Sequence, residues 1–101
     1  MTPDQTTPTY ETAEVLRKNG DYKAAGQAFE QLWQKSQTPS IGWRWCYCLR
    51  KLGFFEKADQ VIREVLNKFP GDKYVIGEFG WVLYFKEIKP GLEDNNLGMV
   101  S

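Results

Sequence analysis

The residue types that carry most acid–base, nucleophilic and metal chemistry are nearly missing from this chain. It contains no histidine, which removes the commonest general base and the commonest metal ligand. Its two cysteines, Cys46 and Cys48, cannot build a structural zinc site within one chain without histidine. A disulfide between residues two apart is geometrically poor. Cys46 reads as a structural small residue, and Cys48 has no charged neighbour that would make it a reactive thiolate. There is no glycine-rich phosphate loop, no nucleophile motif and no metal constellation. We therefore expect no catalysis, no cofactor and no metal. Recognition chemistry is better supplied: six Phe, five Tyr and four Trp are more than a small helical core needs. Several of the aromatics, Trp43, Tyr47, Trp81 and Phe85, are interleaved with Arg44, Arg50 and Lys51. Trp, Tyr and Arg dominate binding energy at protein interfaces, and aromatics beside arginine can also stack bases.

The bulk properties narrow the partner. With 101 residues the chain is one domain at most. A hydrophobic fraction of 42% is that of an ordinary globular protein rather than a disordered one. Thirteen basic residues balance thirteen acidic ones, which argues against a protein that works mainly by neutralising phosphates and leaves little repulsion to oppose self-association. The first eight residues, Met-Thr-Pro-Asp-Gln-Thr-Thr-Pro, have no apolar core and no basic region, so we expect no signal peptide. No apolar run reaches membrane-spanning length, and the expected location is the cytosol.

The elements that must position these side chains are legible from caps and periodicity. Residues 1–7 read as a flexible lead-in. Thr7-Pro8 resembles a helix start, and Gly20 reads as the glycine that ends that first helix. Asp21 caps a second helix carrying Tyr22, Ala25, Phe29, Leu32 and Trp33 at helical spacing. Thr38-Pro39 opens a third helix, with Trp45, Cys46, Leu49 and Leu52 on one face and Gly53 as its stop. A fourth carries Phe55, Ala58, Ile62, Val65, Leu66 and Phe69 and ends at Pro70-Gly71. Asp72 caps a fifth, with Ile76, Phe79, Gly80 and Leu83 facing inward and Pro90-Gly91 closing it. Residues 91–101 are too sparse in apolar positions for a sixth full-length helix and read as a tail. Phe29, Trp33, Trp45 and Phe55 are expected in the core.

A repeat underlies this series. Gly20–Trp33 aligns with Gly53–Leu66, 33 residues later: glycine on glycine, Tyr22 on Phe55, Ala25 on Ala58, Phe29 on Ile62. A self-match at this period marks a solenoid of helical pairs. On these residues the chain resembles the tetratricopeptide repeat family, whose unit of about 34 residues is two antiparallel helices. Gly53, Phe55, Ala58 and Pro70 fall on that pattern in the second unit, with Cys46 at the small position of its first helix. Ala13, Leu16, Gly20, Tyr22, Ala25 and Phe29 do so in the first, and Phe79, Gly80 and Leu83 in a third unit that keeps only one helix. The resemblance covers roughly residues 8–88, within an expected repeat domain at 8–90, and implies an all-α solenoid of about five helices. Ala13, Ala25, Cys46, Ala58 and Gly80 would be small because helices approach closely there.

In that family the first helix of each unit lines a face that binds extended peptides. By register, the resemblance makes Tyr10, Glu14, Trp43, Arg44, Tyr47, Arg50, Lys51, Tyr74, Glu78, Trp81 and Phe85 the candidate partner-binding residues. The family's clamp for a terminal carboxylate needs Lys, Asn and Arg at positions held here by Tyr10, Glu14, Arg44, Tyr74 and Glu78. None agrees, so that mode is not expected. The expected function is a non-catalytic module for a protein or peptide partner. One alternative is a homodimer through the apolar helix at 73–88, since a terminal solenoid helix should be polar on its outer face and this one is apolar almost all round. Another starts from the run Trp43–Gly53 with Lys68–Pro70 and Trp81–Lys89. That run is similar to repeat segments of larger bacterial proteins linked to mobile-element conflict, and implies an accessory subunit of a nucleic-acid-linked system. Nucleic acid as a direct partner is disfavoured by the neutral charge, and no membrane is expected.

Overall fold

The computed structural model describes residues 8–88. The expected lead-in at 1–7, the stop at Pro90-Gly91 and the tail at 91–101 lie outside the described residues. Within them the chain is all-α: α1 (Tyr10–Lys18), α2 (Tyr22–Lys35), α3 (Pro39–Lys51), α4 (Phe55–Lys68) and α5 (Lys73–Leu83), followed by a π-helical turn over Tyr84–Ile88. Each helix packs on the next in sequence, and α3 also packs on α5.

The internal repeat reappears as two identical helix ends. Gly20 and Gly53 both take φ of 86°, a backbone region open to glycine at no steric cost. At the first end the N–H of Gly20 donates to the carbonyl of Arg17 at 3.0 Å and that of Asp21 to Leu16 at 2.9 Å. At the second, Gly53 donates to Arg50 at 3.0 Å and Phe54 to Leu49 at 2.9 Å. Both are Schellman closures, which satisfy the last carbonyls of a helix and turn the chain sharply. Short turns of this kind place consecutive helices side by side.

The N-terminal caps follow local chemistry. Thr38 caps α3 with Pro39 in its first turn, and Asp72 caps α5 by accepting from the N–H groups of Tyr74 and Val75. The first helix differs from the sequence expectation, which set its start at Thr7-Pro8: its cap is Thr9. Thr9 Oγ1 accepts from the Thr12 N–H at 3.1 Å while Thr12 Oγ1 accepts from the Thr9 N–H at 3.0 Å. A cap at Thr7 would put Tyr10 at the third helical position, with no short side chain to return that bond.

Ala13, Ala25, Cys46 and Ala58 are fully buried where helices meet. The closest approach is at Gly42, where an added Cβ would lie 2.7 Å from both Cγ atoms of Val65 and 3.0 Å from the Trp33 ring. Phe29, Ile62, Val65, Val75 and Val82 complete the interior, and Trp33 and Trp45 are buried against each other at 6.4 Å between ring centres. The Trp33 indole N–H donates to Glu64 Oε2 at 3.3 Å, so its polar edge is not orphaned.

Four expectations about the interior are corrected. Leu52 lies beyond the last helical residue as the C-cap of α3 and is exposed. Phe55 is only half-buried, stacked on Phe85 with rings 5.9 Å apart and 9° from parallel. In α5 the inward residues are Val75, Glu78 and Val82, one position off the expected register. Ile76 is 48% exposed, and Gly80 has no atom within 4 Å of where a Cβ would sit. The physical reason for the last two is common: the small residue and its neighbours face a unit's own second helix, and α5 has none among the described residues. It presents that side to solvent and buries the side that meets α3 and α4.

Candidate functional site

Helices α1, α3 and α5 contribute one continuous face, with α3 in the middle. Two sets of cross-links hold it together. Between α1 and α3, the Tyr10 hydroxyl shares a hydrogen bond with Ser40 Oγ at 2.9 Å, and Glu14 Oε2 lies 2.9 Å from Arg44 Nε. That pair is ionic only, because the Nε–H is not directed at the carboxylate. Arg44 Nη1 instead donates to Ser40 Oγ at 2.7 Å. Arg17, one turn along α1, donates to both oxygens of Glu14, Nε to Oε1 and Nη2 to Oε2 at 3.1 Å. Its guanidinium sits 5.7 Å from the Trp43 ring centre and 5.1 Å from that of Tyr47.

Between α3 and α5, Arg50 grips Glu78 with two bonds, Nε to Oε2 at 2.6 Å and Nη2 to Oε1 at 3.1 Å. The Arg50 side chain is 9% exposed and that of Glu78 is 4% exposed. The same guanidinium lies 5.0 Å from Tyr47, 5.7 Å from Trp81 and 5.4 Å from Phe85. Trp43 and Tyr74 stack across the helix boundary at 6.0 Å and 21°. Arginine recurs here because its flat, weakly hydrated cation satisfies a carboxylate in plane and an aromatic ring on its face.

Burial and charge oppose each other at both carboxylates. Burial pushes the Glu14 carboxyl up, but the hydrogen bonds of Arg17 and the charges of Arg44 and Arg17 outweigh it and hold the group below its ordinary value. At Glu78 burial prevails, and the carboxyl stays above its ordinary value despite Arg50. Cys46 Sγ lies 3.3 Å from the Ala58 carbonyl and 3.8 Å from Glu78 Oε2. Burial, then the nearby Glu78, drives its thiol far up. Burial also pushes Cys48 up to about 12. Neither has the low-pKa, accessible setting of a reactive thiolate.

Two clefts open on the α3–α5 side. One, of about 520 Å³, is lined by Pro39, Ser40, Trp43, Arg44, Asp72 and Tyr74. The other, of about 260 Å³, is lined by Trp43, Tyr47, Arg50, Lys73, Tyr74, Gly77, Glu78 and Trp81. The Trp43–Tyr74 stack is the wall they share.

Of the eleven candidate residues, Trp43, Arg44, Tyr47, Arg50, Tyr74, Glu78 and Trp81 converge on these clefts. Tyr74 and Trp81 are the most available, at 59% and 53% exposure. Four stand apart from the clefts. Tyr10 packs edge-on against Phe29 at 6.1 Å, and Glu14 is consumed by its two arginines. Lys51 is exposed beside the Tyr22 and Tyr47 rings, and Phe85 stacks on Phe55. Sequence reasoning missed Arg17, Ser40 and Lys73. Arg17 carried a readable signal, three residues after Glu14 on one helix face. Ser40 and Lys73 carried none, since their role depends on which helix lies beside α3. Among the described residues no group of Cys, Asp and Glu is placed to hold a metal ion, and no helix is long and apolar enough to cross a membrane. Compared with protein-family models, curated proteins and solved structures, the chain matches none.

Proposed function

We propose that this protein is a non-catalytic interaction module of the tetratricopeptide-repeat type that takes an extended peptide segment of a partner protein across α3 and α5. The observation that supports it is the pair of adjoining clefts divided by the Trp43–Tyr74 stack. An extended chain sends alternate side chains to one side, so two clefts separated by one wall suit two such side chains. Lining them, Arg44, Arg50 and Lys73 outnumber Asp72 and Glu78, which favours a partner segment carrying acidic and aromatic residues. The deep burial and raised pKa values of Cys46 and Cys48 support a binding role over thiol chemistry. We place the module in the cytosol, where two unpaired thiols persist.

A random-peptide display library panned on the intact chain tests this reading. The expected result is enrichment of acidic, aromatic-containing sequences that lose at least tenfold in affinity for the Trp43→Ala/Tyr74→Ala variant. No enrichment, or equal capture by both proteins, would discard it.

A further inference from the structure

The two clefts differ in chemistry. The larger draws on the N-terminal ends of α3 and α5, where Ser40, Arg44 and Asp72 are polar. The smaller lies further along both helices, and rings form its walls. Trp43 stands edge-on to Tyr47 at 6.3 Å and 85°, Tyr74 stacks on Trp43, and Trp81 is half-exposed. An apolar cavity of about 150 Å³ holds a benzene molecule, so the 260 Å³ of this cleft admits one six-membered ring. Rings gain from offset and edge-to-face contacts beyond their buried area, a gain that an aliphatic guest lacks. A cationic guest is opposed, because the Arg50 guanidinium already lies 5.0 Å from Tyr47 and 5.7 Å from Trp81 and Lys73 adds a second positive charge.

Gly77 supplies the space. It is exposed and lines the cleft, and no described atom lies within 4 Å of a Cβ built there. The backbone does not require glycine at this position, since its φ is not positive, and glycine inside a helix is unfavourable relative to alanine. Helical side chains lean toward the N-terminus of their helix. A larger residue at 77 would therefore project into the space beside Lys73 and Tyr74.

Charge adds a second requirement. Arg50 and Glu78 are bound to each other, so their charges cancel. Lys73 is exposed and has no ion pair among the described residues, which makes it the uncompensated charge of this cleft. Lys73 and Gly77 are four residues apart in α5, a rise of about 6 Å. In an extended chain, side chains two residues apart lie on one side at about 6–7 Å. A ring seated over Gly77 thus brings a carboxylate two residues away to Lys73.

Resting on the cleft reading above, we infer that the smaller cleft is a selective pocket for a single aromatic side chain. Gly77 sets the size of the guest, and Lys73 specifies a carboxylate two residues from the ring.

Fluorine NMR on the intact chain tests this with two amidated tripeptides, acetyl-Asp-Ser-(4-fluoro-Phe) and acetyl-(4-fluoro-Phe)-Ser-Asp. The expected result is a saturable shift at millimolar peptide for at least one order, with the leucine analogue a far weaker competitor. Gly77→Leu should weaken binding about tenfold or more, with a urea midpoint at or above the native one. Gly77→Ala, which adds one methyl, should weaken it by a smaller factor and serves if leucine disturbs the helix. Lys73→Glu should weaken binding about two- to fivefold and shift preference to the analogue with Lys in place of Asp. No saturable shift, native affinity in both Gly77 variants, equal competition by leucine, or an unchanged charge preference in Lys73→Glu overturns the inference. Display peptides that depend on Trp43 and Tyr74 yet bind Gly77→Leu at native strength would leave the cleft reading standing and remove this one alone.

Discussion

The Arg50–Glu78 pair is the costliest residue-level feature of the fold, because a carboxylate held at 4% side-chain exposure must be paired to remain ionised. Its titration opposes that of the other buried acids. Glu14 and Asp59 are held below their ordinary values, the first by Arg17 and Arg44 and the second by Lys86 and Arg63, in each case against the upward push of burial. Their contribution to stability is present above the ordinary carboxylate range and is lost as pH falls through their lowered values. Glu78 is raised by burial, so it penalises the fold as pH rises through its raised value. Arg50→Met leaves that carboxylate without its cation. We expect a loss of about 3–5 kcal/mol at neutral pH and a smaller loss at an acidic pH, as the isolated acid takes up a proton. Urea melts at the two pH values measure the difference; an equal loss at both would place the destabilisation in packing instead. The thiols give a second expectation: at pH 8 a thiol-reactive dye should label neither cysteine in the native chain and both in urea, with labelling kinetics that follow unfolding.

At the scale of the helix, two glycines of the same residue type have opposite meanings. Gly42 is where α3 touches Val65 and Trp33, and Val65 is fully buried and β-branched, so it has little freedom to move aside. Gly42→Ala should cost about 1–3 kcal/mol from overpacking, more than the helix gains from losing a glycine. Gly80→Ala meets nothing among the described residues and should stabilise the fold by up to about 1 kcal/mol. Thermal melts of the two variants at low concentration check both signs. The sequence pattern could not separate these positions. Each is a glycine on an apolar helix, and the distinction depends on whether a second helix covers that side.

For the molecule as a whole, stability is spread along a row of helices in which each needs its neighbours. Phe29, fully buried beneath Tyr10, connects the first pair to the rest. Phe29→Ala should cost about 3–5 kcal/mol, against a total of roughly 0.05–0.15 kcal/mol per residue. That lowers Tm by more than about 10 °C for a domain of this size. Helical circular dichroism on heating reads it, and a smaller shift would mean that α1 and α2 contribute little to a shared core. The repeat was legible at this scale, since Gly20 and Gly53 aligned in sequence and close their helices with the same bonds. The capping residue Thr9 was also within reach of sequence, had Thr12 been recognised as its reciprocal partner.

Local chemistry in the sequence determined where the helices run and which small residues seat them against one another, because caps, glycine closures and helical periodicity are properties of neighbours in the chain. It also brought most of the cleft residues onto the right helices. Only the tertiary structure decided which side of α5 is inside, that Arg50 and Glu78 are spent on each other, and that Trp43 and Tyr74 form one wall between two clefts. Those outcomes depend on residues some thirty positions apart meeting across α3. An apolar side chain has the same sequence signature whether a neighbouring helix covers it or leaves it for a partner.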